Sequence, residues 1–293
     1  MANIGLVLSG GMAKGAYQVG VLKALREFVR LEKDGGRDNI YISASSIGAL
    51  NAYAYLSGRL KHFEKLWLNM ELPGASSPRG TVRVFSKTAY IMNFVDALFG
   101  PPGQDGGEIN QDFYITCYNQ DKRKLKYANV RGAMREDIRS YLKASVAMPV
   151  FDKPVEIGGQ RFSDGALIDN IPIFPLMKHR LDYIIVVYFD KKSYAFENEY
   201  FDNKLVKINF LDDGLVKDSL AFDRESVAAM IAEGYRQSKE IFEILFGKGT
   251  DDFERIHNRI SFINSLQSDK QLRITGDIVV NNINKLLKLL VKS

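Results

Sequence analysis

Ser46 stands in a sequence pattern that is typical of a catalytic nucleophile. It is the centre of Ala44-Ser45-Ser46-Ile47-Gly48, and this spacing matches a nucleophile elbow, in which a serine occupies a sharp turn between a strand and a helix. The amino terminus of the following helix would favour the negative charge that develops on an attacked carbonyl. A serine before a helix is also a common helix cap, so the pentapeptide alone leaves both interpretations open.

A nucleophilic serine needs a base, and two arrangements can supply one. Asp164 lies in Phe162-Ser163-Asp164-Gly165-Ala166, where it follows a predicted strand directly, although Asp-Gly is also an ordinary turn dipeptide. Ser46, Asp164 and His257 reproduce the chain order of an α/β-hydrolase triad. None of the three histidines is flanked by the signals of a glycine-rich loop. We therefore expect Asp164 to be the base and keep the triad as an alternative.

A glycine-rich segment, Gly10-Gly11-Met12-Ala13-Lys14-Gly15, follows the first predicted strand. Glycine lets the main chain approach a ligand closely, so backbone N–H groups here could bind a phosphate or an oxyanion. A phosphate-binding loop would end in Gly-Lys-Ser or Gly-Lys-Thr, and the dinucleotide fingerprint G-x-G-x-x-G has no match either. The segment is therefore predicted to be a functional loop. A nucleotide-binding α/β protein stays as an alternative that these two missing patterns disfavour.

The elements that must position these residues are two strand-to-helix units near the amino terminus. Residues 4–8 form an apolar run before the glycine-rich loop, and apolar side chains over 17–28 then recur at helical spacing. A second run, 41–44, leads into Ser46 and another helical pattern. Apolar strands that alternate with helices predict an α/β fold with a mainly parallel sheet covered on both faces. The sites of such folds form beyond the carboxyl ends of the strands.

The rest of the chain is predicted to contain hairpins, helices and one more buried strand. The predicted elements are hairpins with strands at 113–118 and 125–130 and at 155–157 and 160–162, helices at 135–147, 220–246 and 253–266, and a buried strand at 183–189. An apolar stretch at 90–99, inside an irregular excursion over 73–107, is interpreted as a packed helix in preference to a lid. We expect one domain over 1–293, with a motif-bearing core at about 4–190 and a mostly helical part at about 215–293.

The composition is that of a compact globular protein. Of the 293 residues, 46% are hydrophobic and 26% are charged, which excludes disordered, collagen-like and disulfide-scaffold proteins. The net charge of +5 favours an anionic membrane surface but is unlike the footprint of a nucleic-acid binder. Cys117 is the one cysteine, so a buried inert thiol in a cytoplasmic protein is expected. No apolar run is as long as a membrane span, and an apolar stripe over 278–290 is interpreted as docking on the domain rather than lying in a membrane interface.

Four blocks of the chain, taken together, resemble the patatin-like phospholipase family in order and spacing. They are Leu8–Leu22, which looks like the family's glycine-rich oxyanion loop and the helix after it, Ala44–Ala52, similar to its G-x-S-x-G elbow, Ala144–Pro149, similar to its S-x-A-x-P segment, and Asp164–Pro172, similar to its D-G-G/A block. The likeness covers about residues 4–190. It implies a three-layer α/β/α sandwich with a mainly parallel central sheet, here followed by a helical C-terminal tail.

The resemblance also implies a serine acyl hydrolase with a Ser–Asp dyad. Carried over by position, Ser46 is the nucleophile, Asp164 is the base, and the oxyanion hole is formed by Gly10, Gly11 and Met12, with the amides of the last two as donors. The implied reaction is cleavage of a carboxylic ester in a phospholipid or another acyl ester, of phospholipase A or lysophospholipase type, through an acyl-enzyme intermediate. No metal or other cofactor is implied, and we expect a cytoplasmic protein with peripheral contact to a membrane and no nucleic-acid partner.

Two positions depart from the family's pattern. Ala44 stands where the family usually has glycine, and the added methyl group should leave the turn intact with modest strain. Met12 replaces the third glycine of the loop, and if this residue needs a positive φ the cost is of order 1 kcal/mol or more. A non-catalytic lipid-binding protein on the same fold is therefore an alternative function. Lys14 matches the motif's basic position and Asp169 its second aspartate, for which loop bracing is the default interpretation.

Overall fold

The fold is that of a computed structural model. The structure describes residues 1–30, 38–69, 91–100, 108–149, 152–189, 193–196, 203–210, 222–266 and 269–272. The strands are β1 (Asn3–Leu8), β2 (Asn39–Ser45), β3 (Phe113–Asn119), β4 (Lys124–Asn129), β5 (Val155–Ile157), β6 (Gln160–Asp164), β7 (Tyr183–Tyr188), β8 (Ser193–Phe196), β9 (Leu205–Asn209) and β10 (Asp269–Leu272). The helices are α1 (Gly15–Phe28), α2 (Ile47–Leu56), α3 (Leu60–Leu68), α4 (residues 91–99), α5 (Arg135–Val146), α6 (Arg224–Phe246) and α7 (Phe253–Ser265), with short 3-10 helices at Met12–Lys14 and Phe174–Leu176.

A central sheet carries the site. Its strand order is β5-β6-β3-β2-β1-β7-β9, and β4 pairs with β3 beside this path. The pairs from β3 through β2, β1 and β7 to β9 are all parallel, whereas β4, β6 and β5 are joined by antiparallel pairs. The predicted mainly parallel sheet and both predicted hairpins are therefore confirmed. Strands β8 and β10 form a separate parallel pair.

Each face of the sheet is covered by its own apolar cluster, because side chains alternate along the strands. On one face, Leu6 and Leu8 of β1 contribute to a large core that also contains apolar side chains of the helices. On the other face, Val7 packs in a smaller cluster with Leu176, and the residues between β6 and β7 with their short 3-10 helix form this layer. The sheet thus lies between two layers, as the α/β interpretation predicts.

The C-terminal helical part contacts the helix that follows the glycine-rich loop. A Cβ added at Gly20 of α1 would lie 2.1 Å from the carbonyl oxygen of Ile231 in α6, and one added at Gly234 would lie 2.1 Å from the carbonyl oxygen of Tyr17. The two helices therefore touch backbone to backbone, which only glycine permits. This close contact fixes α1, and with it the end of the loop, against the body of the protein.

Helix α4 is packed in the core, which agrees with the packed-helix interpretation of the apolar stretch. Phe99 stacks on Tyr53 with ring centroids 4.7 Å apart, and Phe94 meets Trp67 edge to face at 5.5 Å. The flanking residues 73–90 and 101–107 and the stripe over 278–290 lie outside the described residues. Within the described part of the chain, no helix combines the length and the apolar character that crossing a membrane requires.

Candidate active site

The register of three strands brings Ser46 and Asp164 together. Strand β4 occupies one edge of β3, so β2 and β6 share the other edge, β2 beside the first half of β3 and β6 beside the second. Strand β2 runs parallel to β3 and ends at Ser45 opposite Thr116, whereas β6 runs antiparallel and ends at Asp164 opposite Cys117. The ends of β2 and β6 therefore meet at neighbouring positions of β3. The nucleophile candidate and the carboxylate both lie at this junction.

Ser46 occupies a strained turn between β2 and α2. Its φ is 52° and its ψ is −132°, in the region that favours glycine, and its side chain is only partly buried. The hydroxyl makes no capping hydrogen bond to α2, which argues against the helix-cap interpretation. Gly48 allows the tight turn, because a Cβ at this position would lie 2.5 Å from the carbonyl oxygen of Leu8. The geometry is that of an elbow that presents a hydroxyl.

The Asp164 carboxyl is buried beside this hydroxyl. The side chain is 5% exposed, and burial raises the pKa of Asp164 from 3.8 to about 7. A hydrogen bond with the Ser46 side chain and one from the N–H of Ala166, 2.8 Å from Oδ1, favour the charged form, while the charge of Asp152 opposes it. The carboxyl is therefore able to accept a proton near neutral pH, where an ordinary aspartate is a poor base.

The end of α5 holds both residues in place. The Ser46 N–H donates to Ser145 Oγ over 2.9 Å, and the Asp164 N–H donates to the Ala147 carbonyl over 2.7 Å. Both acceptors come from the Ala144–Pro149 block, to which the sequence assigned no role. The one signal in the sequence for this contact was Ser145, a serine in the last turn of an otherwise apolar helix face.

The glycine-rich loop lies next to Ser46. A Cβ at Gly10 would lie 2.8 Å from Ser46 Cβ, so this glycine permits the close approach. The Gly10 N–H donates to Asn170 Oδ1 over 2.8 Å, and Asn170 Nδ2 donates back to the Gly10 carbonyl over 3.3 Å. Gly10 therefore lines the site without offering a donor, which narrows the expected oxyanion hole to Gly11 and Met12. Among the contacts of the described chain, neither of those two amides donates a hydrogen bond.

The two departures from the family's pattern have different consequences. Met12 adopts a φ of 51°, so it occupies the left-handed region at a cost of about 1–2 kcal/mol. The loop thus keeps a conformation that a glycine would adopt without strain. Ala44 is fully buried in β2 and is not among the described residues with positive φ, so alanine is accommodated without conformational cost.

A buried amide network, which the sequence reasoning missed, clamps both ends of the loop. Gln18 Nε2 donates to the Ser9 carbonyl over 2.7 Å, and Asn51 Nδ2 donates to the Gly15 carbonyl over 2.9 Å. The two side chains are joined by a 2.8 Å hydrogen bond from Asn51 to Gln18, and both are fully buried. Polar residues at apolar positions of α1 and α2 were the signal that could have revealed them.

Asp169 braces the segment that follows Asp164. The Ser45 hydroxyl donates to the Asp169 carbonyl over 2.8 Å, and the Tyr127 hydroxyl donates to its carboxyl over 2.6 Å. Burial raises the pKa of Asp169. These contacts agree with the default interpretation of loop bracing. Lys14, at the motif's basic position, is 4% exposed at the end of the 3-10 helix.

The histidines contact groups away from Ser46. The ring nitrogens lie 3.1 Å from the Ala97 carbonyl for His62, 3.0 Å from the Tyr114 hydroxyl for His179 and 3.0 Å from the Asp182 carbonyl for His257. Asp182 immediately precedes β7, at the amino-terminal edge of the parallel strands, whereas Ser46 follows the carboxyl end of β2. The triad alternative is therefore wrong, because His257 and the Ser46 hydroxyl lie at opposite ends of the parallel strands. Among the described residues, no group of three His, Cys, Asp or Glu side chains could hold a metal ion.

Cys117 is fully buried beside the site. Its thiol pKa is raised, first by burial and then by the charge of Asp164. A raised pKa keeps the thiol protonated and poorly nucleophilic. The expectation that Cys117 is buried in a strand is confirmed.

The fold and the site together define an α/β protein whose candidate site residues lie beyond the carboxyl ends of a mainly parallel sheet. A family model of patatin-like phospholipase matches residues 6–177. The chain belongs to the patatin-like phospholipase family.

Similar proteins are found in bacteria and fungi. An uncharacterized NTE family protein of Mycobacterium bovis is 25% identical over 188 residues, which are 63% of this chain and 48% of that protein. The lysophospholipase NTE1 of Debaryomyces hansenii is 27% identical over 203 residues, 63% of this chain and 12% of that protein. The chain thus spans about half of the mycobacterial relative and a small part of the yeast one. The solved structure of VipD from Legionella pneumophila aligns with a TM-score of 0.47 and 14% identity, over 83% of this chain and 67% of that chain.

Proposed function

We propose that this chain is a lipid acyl hydrolase, of phospholipase A or lysophospholipase type, that cleaves carboxylic esters through a Ser46–Asp164 dyad. The observation that carries the proposal is the pairing of a partly exposed, strained serine with a buried carboxyl whose pKa is raised to about 7. Such a pair combines an accessible nucleophile with a base matched to neutral pH. Family membership supports the same chemistry.

In the first half of the reaction, Ser46 Oγ attacks the ester carbonyl carbon and the Asp164 carboxylate takes the hydroxyl proton. The carbonyl oxygen becomes an oxyanion, to which the amides of Gly11 and Met12 donate. When the tetrahedral intermediate collapses, the carbon–oxygen bond of the leaving group breaks and Asp164 returns the proton to the departing alcohol. The product of this half is an acyl-enzyme on Ser46.

In the second half, water replaces the alcohol. The Asp164 carboxylate takes a proton from the water molecule as its oxygen attacks the acyl carbon, and the same two amides stabilise the second oxyanion. Collapse breaks the bond to Ser46 Oγ, which recovers a proton from Asp164, and the fatty acid leaves. Because one carboxyl serves both halves, a variant without it should fail in acylation and in deacylation alike.

The clamp around the loop supports this use of the two amides. Hydrogen bonds from Gln18 and Asn51 hold the carbonyls at both ends of the loop, and Asn170 holds Gly10. Donors that are fixed before the reaction begins stabilise a developing charge without further reorganisation. The positive φ of Met12 adds strain to the loop but leaves the N–H of this residue in place as a donor. This disfavours the non-catalytic lipid-binding alternative.

The test is covalent labelling of the full chain with a fluorophosphonate, followed by a headgroup-resolved lipid hydrolysis assay. We expect the wild type to be labelled at Ser46 and to release fatty acid, and Ser46→Ala and Asp164→Asn to lose hydrolysis while remaining folded. Ser163→Ala, which removes a buried hydroxyl beside Asp164, is the matched control and should keep its activity. Full activity in either dyad variant, or a wild type that binds lipid without being labelled, would refute the proposal.

A further inference from the structure

A cleft between three helices lies apart from Ser46. It is lined by residues of α1, α3 and α6 and has a volume of about 910 Å³. Arg26, which lines the cleft, lies about three turns beyond Gly15 in α1, or roughly 16 Å along the helix axis from the end of the glycine-rich loop. None of the lining residues takes part in the proposed ester cleavage. The cleft is therefore a separate feature of the molecule.

Helical spacing places basic side chains on two walls of this cleft. Lys23 and Arg26 lie one turn apart on α1, and Lys61 and Lys65 lie one turn apart on α3, so each pair occupies one face of its helix. All four side chains line the cleft. The two helices therefore bring four positive charges to one cavity.

The two carboxylates that line the cleft are already paired. Glu64 Oε1 lies 2.6 Å from Lys23 Nζ, and Glu27 Oε2 lies 3.0 Å from Lys239 Nζ of α6. The Tyr235 hydroxyl also donates to Glu27 over 2.6 Å. Hydrogen bonds from Tyr235 and Lys239 hold the pKa of Glu27 below its ordinary value, so this carboxylate stays ionised and engaged. Neither carboxylate is free to neutralise a further cation of the cleft.

Three positive charges remain in the cleft after this pairing. Arg26, Lys61 and Lys65 are exposed, and among the described residues none of them forms an ion pair with a carboxylate. Like charges gathered in a concave site repel one another and attract an anion of matching charge. A carboxylate would neutralise only one of the three. A phosphomonoester carries about two negative charges near neutral pH and offers three acceptor oxygens.

We propose that this cleft binds a terminal phosphate or diphosphate group, with Arg26 on one wall and Lys61 and Lys65 on the other. The guanidinium of Arg26 can donate to two phosphate oxygens at once, while the lysines act as point charges. A soluble metabolite and a lipid headgroup can both supply such a group. An exposed ion pair contributes up to about fivefold in affinity, so the three cations together contribute up to about a hundredfold.

The first test is isothermal titration of the full chain with inorganic pyrophosphate at low salt. We expect the wild type to bind it saturably. The cleft variant, in which Arg26→Gln, Lys61→Gln and Lys65→Gln are combined, should bind at least tenfold more weakly. Thermal unfolding shows whether this variant is folded. If it is not, Arg26→Gln alone carries the test and should weaken binding by about threefold or more.

The matched control removes the same number of positive charges elsewhere. It combines Lys122→Gln, Arg123→Gln and Lys124→Gln, which are exposed residues at the turn between β3 and β4. This hairpin variant should bind pyrophosphate as the wild type does. An equal loss of affinity in the cleft and hairpin variants would mean that only the net charge attracts the anion, and would overturn the site.

A second arm distinguishes the two sources of the phosphate. It measures co-sedimentation with phosphatidylcholine vesicles that contain or lack phosphatidic acid, whose headgroup is a phosphomonoester. Binding of pyrophosphate without binding to the phosphatidic acid vesicles assigns the site to a soluble ligand. Vesicle binding that needs phosphatidic acid and is lost in the cleft variant but not in the hairpin variant assigns it to a lipid headgroup. A wild type that binds neither probe, or a folded cleft variant that binds as well as the wild type, would overturn the proposal.

Discussion

Asp164→Asn is expected to abolish ester hydrolysis and, at the same time, to make the protein more stable at alkaline pH. Burial raises the pKa of Asp164 from 3.8 to about 7 in the folded state. The folded protein therefore holds this proton more tightly than the unfolded chain does. The stabilisation that results is fully present below pH 3.8 and is lost as the pH rises through 7. Asparagine has nearly the same shape, keeps an oxygen acceptor for the Ala166 N–H and does not ionise.

The size of the effect follows from the two pKa values. At pH 5 the unfolded carboxyl is mostly ionised and the folded one is protonated, whereas at pH 8 both are ionised. Integrating the linkage relation between these limits gives a loss of about 2.5 kcal/mol in the wild type that the asparagine variant does not share. For a chain of this length, 1 kcal/mol corresponds to roughly 2 °C in Tm. The variant's Tm should therefore gain about 5 °C on the wild type between pH 5 and pH 8.

The assay is thermal unfolding of the wild type, Asp164→Asn and a matched control at both pH values. The control is Asp121→Asn, because the exposed Asp121 pairs with Arg161 at 2.7 Å and its pKa is lowered by that partner. A carboxyl with a lowered pKa stays ionised above pH 5 in both states, so this variant's Tm difference should not change with pH. If Asp164→Asn also keeps a constant difference from the wild type, the carboxyl is not held protonated by burial and the reasoning fails.

Three further results are expected. The kcat/KM for an acyl ester should fall about tenfold per pH unit below pH 7 and level off above it, because the proposed mechanism needs the carboxylate form of Asp164. Asp152→Asn removes a charge that raises the pKa of Asp164, so the fall in kcat/KM should begin at a lower pH. An unchanged pH–rate profile would show that the charge of Asp152 does not act on Asp164. Gly48→Ala should lower the free energy of unfolding by about 1–3 kcal/mol in denaturant titrations, since the added Cβ would lie 2.5 Å from the carbonyl oxygen of Leu8. An unchanged free energy of unfolding would mean that the turn is looser than described. Met12→Gly should stabilise the protein by about 1 kcal/mol at most, because it removes the strain of a positive φ but increases the conformational entropy of the unfolded chain. Labelling of Ser46 should not fall. A loss of labelling would show that the Met12 side chain is needed.

Elements with strong local patterns could be predicted from the sequence. The apolar run before the glycine-rich loop and the one before Ser46 became β1 and β2, and the helical patterns after them became α1 and α2. The second hairpin turns at Gly158 and Gly159, both with positive φ, as a pair of glycines between two short strands predicts. These elements could be predicted because hydrophobic periodicity and turn residues determine the structure of a few neighbouring positions.

Contacts between distant segments could not be predicted in the same way. The contacts that were missed join residues on different helices or far apart in the chain. They are the hydrogen bonds from Asn51 to Gln18, from the Ser46 N–H to Ser145 and from the Gly10 N–H to Asn170. Sequence order even permitted a triad with His257, which the sheet places at the opposite edge. Order along the chain carries no information on which edge a residue reaches once strands are paired.

What the sequence determined by itself is therefore the kinds of groups available: a serine at a strand-to-helix turn, a carboxylate after a strand and a loop of glycines, each set by short-range conformational preference. The tertiary structure alone decided that β2 and β6 end at neighbouring positions along one edge of β3, so that Ser46 and Asp164 lie next to each other. It also decided that the carboxyl is buried, and hence that its pKa lies near neutrality. Register and burial come from long-range packing, because a side chain's solvation depends on what covers it and not on its neighbours in the chain.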